Sequence, residues 1–520
     1  MAQGKLGMTD DRNASTELAV VRTLAGDLRG RFGDGVYTFT GVRYGEDTSS
    51  QRFRTPIPVQ PWQGIQDALS FGDQCIQPAS PDFELLRSGW DQPTASSEDC
   101  LFLNIWTPAI GDQVRRPVMV NLHGGAWTVG NGNSSARSGE TFARDHDVVR
   151  VNVNHRLGIF GFSYLVDLLG PNYADSGTVG ILDVIESLRW VRDNIAAFGG
   201  DPANVTIFGV SGGGQKVSTL MAMPAAKGLF HRASVESGPM LTATVPESAA
   251  DAAGRLLAAL DIPRDKAHEL LSLSGERLLG GYMKMYPDGG LTSSGLGPVV
   301  DGVNLPRHPF EPTAPEISSD VPLLIGTTAT ETSIFSEFLG GSTAGLTWEA
   351  LEQRLERLLP SGLPMGTTEI IDCARRSMPD AAPADVLFAV TTELLFRSRS
   401  IVQAERAAQR RAPVYMWLIE WNTPVDGGKW GAPHGLSVPL VMDTVTSVVS
   451  MFGEDLTEPL ALSWKMSSAW AEFARTGVPG MPDLPRWTAF DTERRETMIF
   501  DTACRIVADP RSDLRRMFRR

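Results

Sequence analysis

Short apolar segments rich in valine and isoleucine recur along the chain and end at glycines or polar turns. They lie at Pro117–Leu122, Val148–Val153, Val205–Phe208, Pro322–Ile325 and Val414–Ile419. Between two of them, Leu182–Phe198 repeats its apolar residues at three- or four-residue steps, as one face of a helix does. Strands that alternate with helices favour an α/β fold with a mostly parallel sheet covered on both faces. In such sheets the functional site forms at the carboxyl ends of the strands.

Two long segments depart from this alternation. Val245–Glu316 and Phe335–Arg411 contain leucine and alanine runs that are broken by Gly-Gly, proline and Ser-Gly. This pattern favours helices, and we expect both segments to form a helical cap over the strand ends. The length of 520 residues, 42% of them hydrophobic, allows one large domain or two to three ordinary ones.

Acidic side chains outnumber basic ones by 61 to 47, which gives a formal net charge of -14. This balance argues against nucleic acid as a partner, because phosphate-rich ligands require a dense positive surface. No stretch of about twenty apolar residues occurs, so no membrane span is expected. The first twelve residues are polar and lack the apolar core of a secretory signal. They predict a cytoplasmic protein as written, or a secreted or periplasmic one if a signal was removed.

Cysteine and histidine spacing offers no metal site. The four cysteines form no C-x-x-C pair. His268 and Glu269 begin like the zinc motif H-E-x-x-H, but Ser272 stands where the second histidine would be. We therefore predict that the protein binds no metal and needs no cofactor.

The strongest local motif is G-x-S-x-G, formed by Gly209, Ser211 and Gly213 with one residue between each. The apolar run Val205–Phe208 leads into it, and the helix-like stretch Gln215–Met223 leads out. This strand–turn–helix context is typical of a nucleophile elbow, where flanking glycines permit a strained turn and the serine stands at a helix amino end. A phosphate-binding loop is the rival interpretation. It fails because the residue after the lysine of this run is neither serine nor threonine.

A second motif, H-G-G-A-W, follows the run Pro117–Leu122 directly. Attack by a serine on an ester creates an oxyanion that needs preorganised N–H donors, and small residues allow the backbone to supply them. We predict Gly125, Ala126 and Gly212 as the three donors. His123 is interpreted as a structural residue that orients this loop.

Several ordered motifs together resemble the type-B carboxylesterases, a family that also contains cholinesterases and the non-enzymatic neuroligins. The resemblance covers nearly the whole chain, so it implies one α/β-hydrolase domain over residues 1–520. The motifs that carry it are G-D-L-R-G at Gly26–Gly30, F-T-G-V-R-Y at Phe39–Tyr44, P-W-Q-G at Pro61–Gly64, S-E-D-C-L-F-L-N-I-W at Ser97–Trp106, N-H-R-L-G-I-F-G-F at Asn154–Phe162 and V-E-S-G at Val235–Gly238.

The resemblance implies the other two members of a catalytic triad. The family's acid lies five residues after the glycine of an I-G-T strand end, which here is Gly326 and gives Glu331. The family's histidine lies in a G-A-x-H-G loop, which here gives His434. In this interpretation His434 takes the proton of Ser211, and Glu331 orients the imidazole. The remaining histidines all precede Glu331 and are expected to be structural: His123, His146, His155, His231, His268 and His308.

Three positions near the implied site depart from the family pattern. Val210 replaces an acidic or amide residue before the serine, Glu236 replaces a glutamine, and Ser437 replaces a glutamate beyond the histidine. The loss of a carboxylate beside Ser211 argues against a cationic, choline-like leaving group. Trp90 resembles the cation-binding tryptophan of cholinesterases, although a wall of the pocket is the simpler role. The residues expected to line the substrate pocket are Trp127, Val210, Ser237 and Trp90.

The resemblance also implies a serine carboxylesterase that acts on a small-molecule ester and water through an acyl-enzyme. Lipase, amidase and lactone hydrolase activities remain alternatives, because the same triad serves several acyl transfers. A binding protein of the neuroligin kind is disfavoured, because Ser211, Glu331 and His434 are all present. Cys75 and Cys100 match the family's first disulfide, while a reducing cytoplasm would keep them as thiols. We expect a monomer or a weak homo-oligomer.

Overall fold

The computed structural model describes residues 17–518, apart from 81–82, 87–89, 91–93 and 287–295. Its strands are β1 Glu17–Arg22, β2 Asp27–Gly33, β3 Val36–Arg43, β4 Ile65–Asp67, β5 Gln74–Cys75, β6 Ser96–Ser97, β7 Phe102–Thr107, β8 Arg116–Leu122, β9 Val149–Val153, β10 Gly200–Val210, β11 Arg232–Glu236, β12 Leu323–Thr328, β13 Val414–Ile419, β14 Glu496–Phe500 and β15 Arg505–Ala508.

Thirteen of these strands form one sheet, and β5 pairs with β6 separately. The order across the large sheet is β1-β2-β3-β7-β9-β8-β10-β11-β12-β13-β14-β15, and β4 pairs with β2. The seven strands from β9 to β14 are parallel, whereas the strands at both edges are antiparallel. The predicted mostly parallel sheet is therefore confirmed at the centre, where the five predicted strands lie. The antiparallel edge strands were not predicted.

The α-helices are α1 Glu140–His146, α2 Gly158–Phe162, α3 Val166–Leu169, α4 Val179–Asn194, α5 Gly212–Leu220, α6 Pro246–Ala259, α7 Gly275–Met285, α8 Trp348–Leu358, α9 Thr367–Ser377, α10 Pro383–Thr392, α11 Ser398–Ala408, α12 Ser437–Met442, α13 Thr457–Thr476 and α14 Ser512–Arg516. A π-helical turn, Glu393–Arg397, joins α10 to α11.

Helices bury both faces of the central strands, which explains why these strands are apolar throughout. In β12, Leu323 and Ile325 point to the apolar core on the side of α4, whereas Leu324 points to the core on the side of α13. Alternation of side chains along a strand requires this division. All residues of β8, β9, β12 and β13 are buried as a result.

Helices form much of the described part of the two segments predicted as a cap, although residues 287–295 lie outside the described residues and 296–315 contain no helix. Helices α6 and α7 pack against each other, and their apolar residues join the core on the side of α4. Helices α8, α9 and α10 form a separate small core with α14. Their action as a cap stays a prediction, as does the assignment of residues 1–520 to one domain. Within the described ranges, no helix is long and apolar enough to cross a membrane.

Cys75 and Cys100 lie side by side in the buried region where the resemblance implies a disulfide. Both are free thiols, and the Sγ atoms are in hydrogen-bond contact. This contact, followed by burial, raises the pKa of Cys100 well above its usual value. The disulfide implied by the resemblance is therefore not formed in this structure.

Candidate active site

Ser211 occupies a sharp turn between the end of β10 and the start of α5. Its φ of 60° and ψ of -124° lie in a region that residues other than glycine rarely adopt, and such strain is typical of functional turns. Its N–H donates to the carbonyl of Glu236 at 2.8 Å. A Cβ at Gly209 or Gly213 would collide with the carbonyl oxygen of Leu122. Both glycines of the motif are thus required by the close approach of β8 to the turn.

Glu331 and His434 meet at the carboxyl edge of the sheet. Glu331 follows β12 and His434 follows β13, so parallel pairing of these strands brings the two residues together. His434 Nδ1 lies 2.5 Å from Glu331 Oε2, and the other carboxylate oxygen accepts the N–H of Thr328 at 2.7 Å. With both of its oxygens engaged, the fully buried carboxylate accepts from the Nδ1–H of His434 and so fixes the orientation and the tautomer of the ring.

Ser211 and His434 line one cavity beside the sheet. Among the hydrogen bonds formed by the described residues, none joins the two side chains directly. Hydrogen bonds between catalytic side chains are often long before substrate binds. The lack of a direct bond between Ser211 and His434 is therefore compatible with proton transfer. The rings of Phe335 and Phe396 flank the imidazole, each with its centroid 5.1 Å from that of His434. These rings limit the access of water to His434.

The predicted oxyanion donors lie on a tight loop that faces Ser211. Gly125 and Ala126 have φ of 90° and 52°, and a Cβ at Gly125 would collide with the carbonyl oxygen of Val129. A Cβ at Gly212 would collide with the backbone of Ala126, so the loop and the start of α5 touch. In the part of the chain that the structure describes, no hydrogen bond uses the N–H of Gly125, Ala126 or Gly212. All three line the cavity and are available as donors.

Lys216 ties this loop to α5, a role that the sequence analysis missed. The side chain is fully buried, and Nζ donates to the carbonyls of His123 and Ala126 at 3.0 and 2.9 Å. Burial, with a smaller effect from Arg137, lowers the pKa of Lys216 to about 7. The sequence signal that could have indicated this role is a lysine in the helix that begins at the elbow, where nearly all other residues are buried.

His123 has the structural environment that was expected. Its Nδ1 lies 2.8 Å from the carbonyl of Gly124, and its ring stacks on that of His155 at 4.9 Å. Burial, followed by the charge of Lys216, lowers the pKa of His123 well below its usual value. The ring therefore stays neutral beneath the loop.

Two arms of the cavity meet at Ser211. The large arm has a volume of about 710 Å³ and a mainly apolar, aromatic wall that includes Trp90 and Val210. The small arm has a volume of about 440 Å³, more hydroxyl groups, and includes Trp127 and Ser237. All four pocket residues expected from the sequence thus line one arm or the other. Leu395 and Phe396 of the π-helical turn line both.

The aromatic face of Trp90 is occupied by a cation of the protein. The guanidinium carbon of Arg137 lies 5.0 Å from the centroid of the Trp90 ring, and both side chains line the large arm. An ammonium group of a substrate would compete with this arginine for the same ring. In this structure Trp90 thus packs against Arg137 in the lining of the large arm.

Glu236, whose carbonyl accepts the N–H of Ser211, carries a carboxylate that lines neither arm of the cavity. Its side chain accepts from Trp470 Nε1 at 2.9 Å and from Ser234 Oγ at 3.2 Å, in the core on the side of α13. Burial raises the pKa of Glu236 to about 7. The replacement of glutamine by glutamate at this position therefore adds no charge to the cavity wall.

Comparison with known proteins shows which family the chain belongs to. The model of the carboxylesterase family matches residues 17–512. The chain belongs to the carboxylesterase family. This carboxylesterase is 35% identical over 500 residues to the para-nitrobenzyl esterase of Bacillus subtilis, covering 95% of this chain and 97% of that protein. It is 32% identical to the phenmedipham hydrolase of Pseudarthrobacter oxydans, with 96% of each chain covered.

Solved structures of carboxylesterases are also similar to this structure. A carboxylesterase from Geobacillus stearothermophilus superposes with a TM-score of 0.84 at 36% identity, covering 96% of this chain and all of that one. The α/β-hydrolase fold and the resemblance to type-B carboxylesterases are thereby confirmed. This carboxylesterase is a carboxylic-ester hydrolase, and its substrates are small-molecule esters.

Proposed function

We propose that Ser211 is the nucleophile, His434 the general base and acid, and Glu331 the residue that orients His434. The hydrogen bond of 2.5 Å between Glu331 and His434, beside the cavity that contains Ser211, is the observation that carries this proposal. Because Nδ1 is held by the carboxylate, Nε2 is the ring atom that takes the proton of Ser211.

The reaction then has two halves. Ser211 Oγ attacks the ester carbonyl carbon as its proton moves to His434, and the resulting oxyanion accepts from the N–H groups of Gly125, Ala126 and Gly212. The intermediate collapses, the alcohol leaves with the proton from His434, and an acyl-enzyme remains. Water repeats the attack, releasing the carboxylic acid and restoring Ser211.

Preorganisation of the donors supports this mechanism. Lys216 fixes the carbonyls of His123 and Ala126, which lie on either side of Gly125. The loop therefore needs little rearrangement when the oxyanion forms, and electrostatic catalysis depends on donors that are already oriented.

The large arm supports a substrate with an aromatic group. Its walls include Phe83, Phe335 and Phe338 as well as Trp90, which offer both apolar area and ring edges. The names of two relatives refer to a para-nitrobenzyl compound and to phenmedipham as the substrates of those proteins. We propose that aryl and benzyl esters are hydrolysed with their ring in the large arm.

A series of esters of one acid tests this assignment. We expect kcat/KM for phenyl and benzyl butyrate to exceed that for ethyl butyrate by about tenfold or more, because burial of a ring contributes more than 1.4 kcal/mol. The benzyl and ethyl esters make the cleaner comparison, because their alcohols differ less as leaving groups. A higher kcat/KM for ethyl butyrate than for benzyl butyrate would contradict the proposal that the large arm binds an aromatic ring. Absence of hydrolysis of every ester would contradict the function itself.

A further inference from the structure

The small arm has a more polar lining than the large arm. Hydroxyl side chains line it from two segments, at Thr128, Thr242, Thr244 and Ser248. Two further polar atoms, Gln215 Oε1 and Ser237 Oγ, are buried without a hydrogen-bond partner, and both residues line this arm. Buried polar atoms normally have partners, so these atoms indicate a polar occupant.

Arg399 supplies the only charged side chain that lines the small arm within the described residues. It lies at the start of α11, directly after the π-helical turn, and such turns are frequent at functional sites. Its neighbour Arg397 pairs with Glu393 at 2.9 Å, and Arg406 on the same helix pairs with Glu311 at 2.5 Å. Among the described residues, no ion pair or hydrogen bond engages the side chain of Arg399. Its side chain reaches solvent, yet surrounding protein atoms desolvate it enough to lower its pKa.

The charged side chains that line the cavity, among the described residues, all have one sign. Arg137 lines the large arm and Arg399 the small arm, while no aspartate or glutamate among the described residues lines either one. The chain as a whole has a formal net charge of -14, so this local excess of arginine opposes the general trend. A cavity lined by cations concentrates and orients anionic ligands.

We propose that the small arm binds a free carboxylate carried by the ester substrate, with Arg399 as its charge partner. The guanidinium group presents paired N–H donors that match the two oxygens of a carboxylate, and the hydroxyl groups of the arm can donate to the same oxygens. The substrate class is then an ester with a second, unesterified carboxyl group on its acyl or its alcohol part. This inference rests on the proposed function, since it concerns how the same site selects its ester.

Matched substrate pairs separate the two possible positions of the carboxylate. Monophenyl adipate and phenyl hexanoate differ by a carboxylate on the acyl part, and 4-carboxyphenyl butyrate and phenyl butyrate differ by one on the alcohol part. We expect the charged member of at least one pair to have the higher kcat/KM, by about tenfold at low salt. Added salt should reduce this preference, because Arg399 reaches solvent and is screened.

Variants then test Arg399 itself. Arg399→Gln should remove most of the preference for the charged member, measured as the ratio of the two kcat/KM values within each pair. Arg399→Lys keeps the charge and should retain part of the preference. Arg264→Gln is the matched control, because Arg264 is also exposed and lines neither arm.

Two outcomes would overturn the inference. One is a wild-type enzyme that prefers the neutral member of both pairs, and the other is a preference that Arg399→Gln leaves intact. In both cases hydrolysis of the neutral esters would show that the proposed function still holds. Loss of hydrolysis of all four substrates by the wild type would instead contradict the proposed function.

Discussion

The imidazole of His434 lies 2.5 Å from a carboxylate, Glu331, that is itself completely buried. The carboxylate does not depend on His434 alone, because its second oxygen accepts the N–H of Thr328 at the end of β12. A carboxylate anchored in this way can fix both the orientation and the tautomer of the ring. Replacement of Glu331 by glutamine, a neutral amide, therefore tests whether the carboxylate has this role.

Glu331→Gln should lower kcat by about 10³- to 10⁴-fold, because an amide no longer holds the required tautomer of His434. KM and the unfolding temperature should change little, since the side chains have nearly equal size. Steady-state kinetics and thermal unfolding of the variant measure these effects. Glu337→Gln, an exposed neighbour, serves as the control. Activity within about twofold of wild type in Glu331→Gln would exclude Glu331 from the triad.

Lys216→Met should lower kcat by about 10- to 100-fold with little change in KM, because the donors of the oxyanion loop lose their anchors. The methionine has a similar length but no donor. Lys216→Gln, which keeps an N–H donor, should lose less. The affinity of a trifluoromethyl ketone, which forms a tetrahedral adduct, should fall with kcat across the series. An unchanged kcat in Lys216→Met would show that the loop holds its shape without the lysine.

The same lysine predicts how stability varies with pH. Burial lowers the pKa of Lys216 to about 7 in the folded protein, whereas an unfolded lysine titrates near 10.5. Between these values the unfolded chain binds more protons, so this group makes the free energy of unfolding rise with pH, by up to about 1.4 kcal/mol per pH unit. Denaturant unfolding measures the free energy of unfolding of wild type and of Lys216→Met at pH 7 and at about pH 9. From the lower to the higher pH, the value for wild type should rise relative to that for Lys216→Met. The same pH dependence in both proteins would contradict this prediction.

The choline selectivity of the cavity can be tested at position 210. Val210 lines the large arm with Ser211, and Arg137 occupies the face of Trp90. A quaternary ammonium is therefore repelled there, and no carboxylate among the described lining residues attracts it. We expect ethyl or phenyl butyrate to have a higher kcat/KM than butyrylcholine. Val210→Glu should narrow the gap by about 1–3 kcal/mol for the cationic ester, and salt should weaken the gain. Val210→Gln is the uncharged control, and a wild-type preference for butyrylcholine would disprove this view of the pocket.

Sequence patterns predicted the centre of the fold better than its edges. Strand β13 was predicted with its exact bounds, because a strand buried on both faces is a continuous apolar run. Strands such as β1 and β2 alternate between exposed and buried residues, and they lie at the antiparallel edge of the sheet. Their mixed composition gave no comparable signal. The motif around Ser211 was informative because its glycines are required by the approach of neighbouring strands.

Residues that act through tertiary contacts were beyond sequence reasoning. The sequence around Lys216 argues only against a phosphate-binding loop, because nothing in it shows that the amine contacts the carbonyls of the oxyanion loop. Trp90 was predicted as a pocket wall, but its pairing with Arg137 depends on two loops that are distant in sequence. Arg399 gave no motif at all. Its place in the lining of the small arm depends on how α11 packs.

The central claim, that Ser211 is the nucleophile, is tested most directly by covalent labelling. A fluorophosphonate should modify the wild-type enzyme once, and peptide mass spectrometry should locate the adduct on Ser211. Ser211→Ala should remain folded, take up no label, and lose ester hydrolysis by a factor on the order of 10⁶. An adduct on another serine, or substantial hydrolysis by Ser211→Ala, would contradict the account.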